Sequence, residues 1–162
     1  MVALVLALGC ADEGLDRLTE KDVTGLPAGN AVGTTFSGIY RPISVHVDGC
    51  RCRTAFTCDE LASTAPGDMF SVVQRDGSLM IGSAPACTGG VSAQGRFRCG
   101  AAAQGADGAP SYMLINGWFG LRSGLPESMQ SVWELTSYVA NGLVMEWQCD
   151  MRLSQIAVFV GP

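Results

Sequence analysis

Residues 143–153 read Leu-Val-Met-Glu-Trp-Gln-Cys-Asp-Met-Arg-Leu. The odd positions Leu143, Met145, Trp147, Cys149, Met151 and Leu153 are apolar, while Glu146, Gln148, Asp150 and Arg152 take even ones. An alternation of period two puts one set on each face of an extended chain; a helix would scatter those charges around its circumference. The stretch therefore reads as a half-buried strand. The run before it, 131–139, carries Trp133, Leu135 and Val139 at odd positions. A two-residue turn at Asn141-Gly142 would leave Trp133 on the polar side. A three-residue loop, Ala140-Asn141-Gly142, sets odd against odd, so that Leu135 opposes Trp147 and Trp133 opposes Cys149.

Outward from this hairpin the chain repeats the same grammar. Phe70–Gln74 and Leu79–Ser83 flank Asp76-Gly77, a strong hairpin signal. That turn pairs Val72 with Ile81 and Gln74 with Leu79, and it puts Phe70, Val72, Leu79 and Ile81 on one face. A weaker hairpin is expected at Gln94-Gly95. Tyr112–Phe119 is a nearly continuous apolar strand in which Gly117 suggests a bulge, and 36–47 is an extended run that Pro42 marks as an edge or bulged strand. Strands are expected near 36–47, 70–74, 79–83, 90–93, 96–99, 112–119, 131–139 and 143–153, with 156–160 as a candidate ninth. Segments 101–110 and 120–130 read as loops.

The fold class is thus all-β: an antiparallel meander of about eight strands that closes into an up-and-down barrel and so removes its edges. A two-sheet β-sandwich is the alternative. The layout over 36–153 resembles the calycins, the lipocalin-like group, including a longer first connection with a short helix expected at Cys58–Ser63 behind Thr57. That resemblance implies a ligand cavity, with Trp133, Trp147, Leu135 and Met145 as its candidate lining.

Composition narrows the function classes. The chain has 162 residues, 48% hydrophobic and 15% charged, which argues against disorder. A formal charge of −5 gives no basic footprint for nucleic acid. The apolar run Val2–Gly9 is too short to cross a bilayer as a helix, which takes about 20 residues. It runs into Leu6-Ala7-Leu8-Gly9-Cys10, which resembles the lipobox of bacterial lipoproteins. The resemblance implies that residues 1–9 are signal-peptide remnant and that Cys10 carries a diacylglyceryl thioether. It also implies a cell-envelope address, with Ala11 similar to outer-membrane members. Residues 10–32 hold five acids and two bases and read as a lipid-anchored acidic tether ahead of a β domain at 33–162.

Setting Cys10 aside leaves six cysteines, an even number that agrees with three disulfides in an oxidising compartment. Cys87 and Cys99 bracket a Gly-rich hairpin and form the natural local pair. Cys149 then joins one of Cys50, Cys52 or Cys58. A Cys50–Cys52 bond would close a strained loop. The metal alternative is a Cys₃His zinc site using His46, Cys50, Cys52 and Cys58; its spacing lacks the usual Cys-x2-Cys knuckle, so no metal and no cofactor is expected.

No phosphate-binding loop, dinucleotide fingerprint, metalloprotease motif or nucleophile elbow is present. Ser44, His46 and Asp48 would spread over roughly 13 Å of strand, too far for a triad. Glu134 and Glu146 are the candidate carboxylate pair for hydrolysis, and Arg51/Arg53 and Arg96/Arg98 are candidate anion clamps. The expectation is a non-enzymatic, membrane-anchored envelope protein that binds a small apolar ligand or an envelope protein. An envelope hydrolase, and an inhibitor-like module presenting loops 101–110 and 120–130, are the alternatives.

Overall fold

A computed structural model describes residues 15–53, 58, 67–82 and 85–162. Its strands are β1 (Gly38–Cys52), β2 (Phe70–Arg75), β3 (Ser78–Ile81), β4 (Cys87–Val91), β5 (Arg96–Gln104), β6 (Pro110–Arg122), β7 (Leu125–Asn141) and β8 (Val144–Gly161). Each pairs antiparallel with its sequence neighbour, and β1 also pairs with β8, which closes the sheet into an eight-stranded ring. The meander is therefore a barrel rather than two stacked sheets. The expected ninth strand is the far end of β8, and segment 120–130 is mostly strand. Ser123 and Gly124 turn β6 into β7 there with φ 53° and 80°, the positive pair that a tight hairpin needs.

The first hairpin has the expected register. Val72 opposes Ile81 and Gln74 opposes Leu79, while Asp76 takes φ 50° at the turn. β1 is bulged around Pro42, as its sequence suggests, but it is an interior strand paired along β8. Gly117 makes no bulge. It keeps regular register against Phe97 and Ser131, and a Cβ there would run into the Phe97 ring. The glycine makes room for that ring inside the barrel.

The barrel has two unlike ends. At the capped end, where β1 starts and β8 finishes, the interior is filled with rings. Phe36 stacks on Phe119 at 4.8 Å between centroids, and Phe119 also meets Phe97 at 4.8 Å and Tyr40 at 5.7 Å. Gln74 holds the plug in place: its Oε1 accepts the Phe36 N–H at 2.8 Å, and its amide donates to the Asp76 carbonyl at 2.9 Å. The Tyr40 hydroxyl donates to the Phe36 carbonyl, and burial pushes its pKa well up. The other end, the mouth, carries the end of β1, the β3–β4 and β5–β6 connections and the β7–β8 turn.

Residues 15–32, expected as free tether, are docked on the barrel's outer wall. Leu18 and Val23 are buried, the latter as the last residue of a single helical turn, α1 (Glu20–Val23). The Thr19 hydroxyl and backbone N–H both reach Asp22, and these bonds hold the Asp22 carboxyl below its usual pKa. The strap crosses glycines: a Cβ at Gly100 would strike Val23, and one at Gly90 would strike Pro27 and Gly29. Gly29 N–H then donates to the Gly77 carbonyl at 2.8 Å and Ala31 N–H to that of Val91 at 3.1 Å. The bare backbone track lets an apolar strand of chain lie flat on the sheet.

Candidate ligand site at the barrel mouth

On β5 and β6 the inward-facing rings of the capped end give way to small residues at the mouth. Along β5 they run Phe97, Cys99, Ala101, Ala103, and along β6 toward the mouth Phe119, Gly117, Ile115, Met113, Ser111. Small side chains at the mouth cannot meet across the barrel, and a cavity of about 340 Å³ remains. Ala101, Ala103, Met113, Leu135, Met151 and Cys149 supply its largely apolar wall.

Of the four expected lining residues, Leu135 takes that place. Trp133 sits in the adjacent buried layer, its indole N–H donating to Ser131 Oγ at 2.8 Å. Trp147 and Met145 are on the outside. The β7–β8 turn is Gly142-Leu143, with Gly142 at φ 64°, and pairing begins at Asn141 with Val144. Gln148 is then an extra residue: Tyr138 opposes Trp147, yet Ser137 opposes Cys149. One inserted residue reverses every facing between itself and the turn. Beyond it odd meets odd as expected, but Leu135 opposes Met151 and Trp133 opposes Leu153.

Outside, Trp147 anchors the start of the strap. The guanidinium of Arg17 lies 4.6 Å from its ring centre and that of Arg51 lies 5.2 Å away. Arg51 Nη2 donates to Asp150 Oδ2 at 2.7 Å and to the Leu15 carbonyl at 3.4 Å. Asp150 is only 1% exposed and takes a second bond from the Thr136 hydroxyl at 2.8 Å, which in turn accepts the Leu18 N–H at 2.9 Å. This buried polar chain fastens strap to barrel.

The catalytic candidates do not converge. Both the Nε and the Nη2 of Arg152 donate to Glu134 Oε1, at 3.1 and 2.6 Å, and Glu146 lies 3.6 Å from Arg53. The side chain of His46 is 77% exposed, with Asp48 at 3.9 Å. Arg51 and Arg53 thus face separate acids instead of one anion, and Arg96 and Arg98 are exposed on β5. Loop 105–109 at the mouth is tied down by Asp107, which accepts the N–H groups of Ala109 at 3.0 Å and Ala140 at 3.3 Å; these bonds lower its pKa.

The cysteines pair as Cys50–Cys58, Cys52–Cys149 and Cys87–Cys99. The hairpin pair and the partner class of Cys149 follow the sequence reading, and His46 stands apart from the sulfurs that its zinc alternative required. Cys10 and the helix expected at 58–63, Cys58 excepted, lie outside the described residues. No protein-family model, curated protein or solved structure matches this chain. No helix among the described residues is long and apolar enough to cross a membrane.

Proposed function

We propose that this protein is a lipid-anchored component of the bacterial cell envelope whose barrel binds a small apolar ligand at its mouth, in the manner of calycins. The observation that carries the reading is the 340 Å³ apolar cavity, within the range of about 300–1,000 Å³ that suits small ligands. The carboxylates a hydrolase would use are each engaged by an arginine, which favours binding over catalysis.

Anchoring at Cys10 is supported by the sulfur count: the other six cysteines pair among themselves. It also gives the barrel an orientation. Leu15 rests on Gly49 and Arg51 near the mouth end of β1. The step from Cys10 to Leu15 spans at most about 17 Å of extended chain. A bilayer anchor there holds the mouth, not the capped end, beside the lipid, so a short acyl chain is the ligand class to try first.

Titration of the purified protein with decanoate, followed by calorimetry and by Trp133 fluorescence, tests the reading. Saturable one-to-one binding is expected, weakened at least tenfold by Ala103→Leu, which fills the cavity. A panel of medium-chain acyl compounds with no saturable binding would sink the ligand reading. The intact mass of protein extracted from envelopes reports separately on acylation at Cys10.

A further inference from the structure

The two disulfides at the mouth are not isolated from each other. Cys50 and Cys52 lie two residues apart on β1, and their sulfurs are 3.9 Å apart although each is bonded elsewhere. The sulfurs of Cys50, Cys52 and Cys58 all lie within 4.8 Å of one another. One bridge, Cys50–Cys58, is half-buried at the rim. The other ends in Cys149, which is 1% exposed and forms part of the cavity wall. Exchange between thiol and disulfide needs a thiolate in reach of a bonded sulfur, and here the chain has little distance to cover.

We propose that these four cysteines form an exchange relay that carries a reducing event from the rim to the cavity. The external reagent is a dithiol. One of its thiolates attacks Cys50 Sγ, forming a mixed disulfide and releasing Cys58 as thiolate. Cys58 attacks Cys52 Sγ, the Cys52–Cys149 bond breaks, and Cys149 leaves as thiolate and takes a proton from solvent. The second thiol of the reagent resolves the mixed disulfide, freeing Cys50 as thiol and leaving the reagent as a cyclic disulfide. The protein gains two electrons and ends with one new bridge, Cys52–Cys58, and two thiols. Cys50 does not replace Cys58 as attacker, because a bond between positions i and i+2 closes a strained ring.

The outcome is a free thiol on the cavity wall and the loss of the covalent tie between β1 and β8. The link to ligand binding rests on the proposed function; the exchange itself needs no ligand, so either can fail without the other. The full chain is treated with one equivalent of dithiothreitol, quenched in acid, alkylated with N-ethylmaleimide and mapped by peptide mass. The singly reduced product is expected to carry alkylated Cys50 and Cys149 and a Cys52–Cys58 crosslink. Alkylation confined to Cys50 and Cys58, with Cys52–Cys149 intact, overturns the relay. Cys58→Ser removes the attacking group, and labelling at Cys149 should fall several-fold. Undiminished labelling in that variant means direct reduction of the inner bridge and also rejects the proposal.

Discussion

The capped end and the mouth are made from the same eight strands, yet one is solid and the other hollow. The difference lies in side-chain volume at equivalent inward positions. Tyr40 of β1 and Phe119 of β6 meet across the capped end, whereas Ala101 and Ala103 leave the mouth unfilled. A barrel of this size is wide enough to be packed by large residues or to keep space for a ligand, and the sequence does each in turn. Stability is therefore expected to concentrate at one end and binding at the other.

Truncation is the sharpest way to break that contrast. Phe119→Ala removes the ring shared by Phe36, Phe97 and Tyr40, and is expected to cost about 3–5 kcal/mol in denaturant unfolding. Leu135→Ala enlarges a space that already exists, so its cost should sit at the low edge of its class, about 2 kcal/mol. Equal losses at the two sites would mean that the mouth is packed as tightly as the cap.

A smaller effect belongs to the strap. Thr136→Val removes the hydroxyl that joins the Leu18 N–H to Asp150, taking the partner from that N–H and from Asp150 Oδ1 while Arg51 still holds Oδ2. About 1–3 kcal/mol is expected. Amide exchange should rise first in residues 15–24 and little in β5 and β6. Uniform acceleration across the barrel would show that the strap is part of the core rather than an attachment.

The smallest effect is at the rim. The pKa of Asp107 is lowered by bonds from Ala109 and Ala140, so its carboxylate favours the folded state. That contribution is complete above the unfolded-state pKa, about 4. It disappears as pH falls through the lower folded value. Exchange at the Ala109 and Ala140 amides should quicken in acid while the amides of Val72 and Ile81 stay protected. Asp107→Asn should flatten the profile.

Much of the barrel was legible because turn chemistry and period-two alternation agree. Asp76-Gly77 fixed its own register, and the odd face of β8 beyond Gln148 is the buried one. What misled was a single inserted residue. Nothing in Gln148 announces a bulge, yet it turns Trp147 and Met145 outward and takes two of the four expected lining residues out of the site. The strap was hidden for a different reason. Acidic composition made 10–32 resemble a linker, but Leu18 and Val23 are spaced to bury, and Gly90 and Gly100 occupy outward positions where a strand would usually carry a polar side chain. Bare outward glycines on neighbouring strands were the available signal that something lies across them. Wall size at the mouth was readable too, in the change from Phe97 to Ala103 along one face of β5.

The Leu18–Thr136 bond joins residues 118 positions apart. Leu18 thus has no seat until β7 and β8 are in place, although Gly29 and Ala31 further along the strap bond to Gly77 and Val91 on the other side of the ring. Until then Leu18 stays uncovered while the ring assembles without it. Long-range closures of this kind are slow. The arrival of Leu18 at Thr136 therefore reports that the last two strands of the ring have paired.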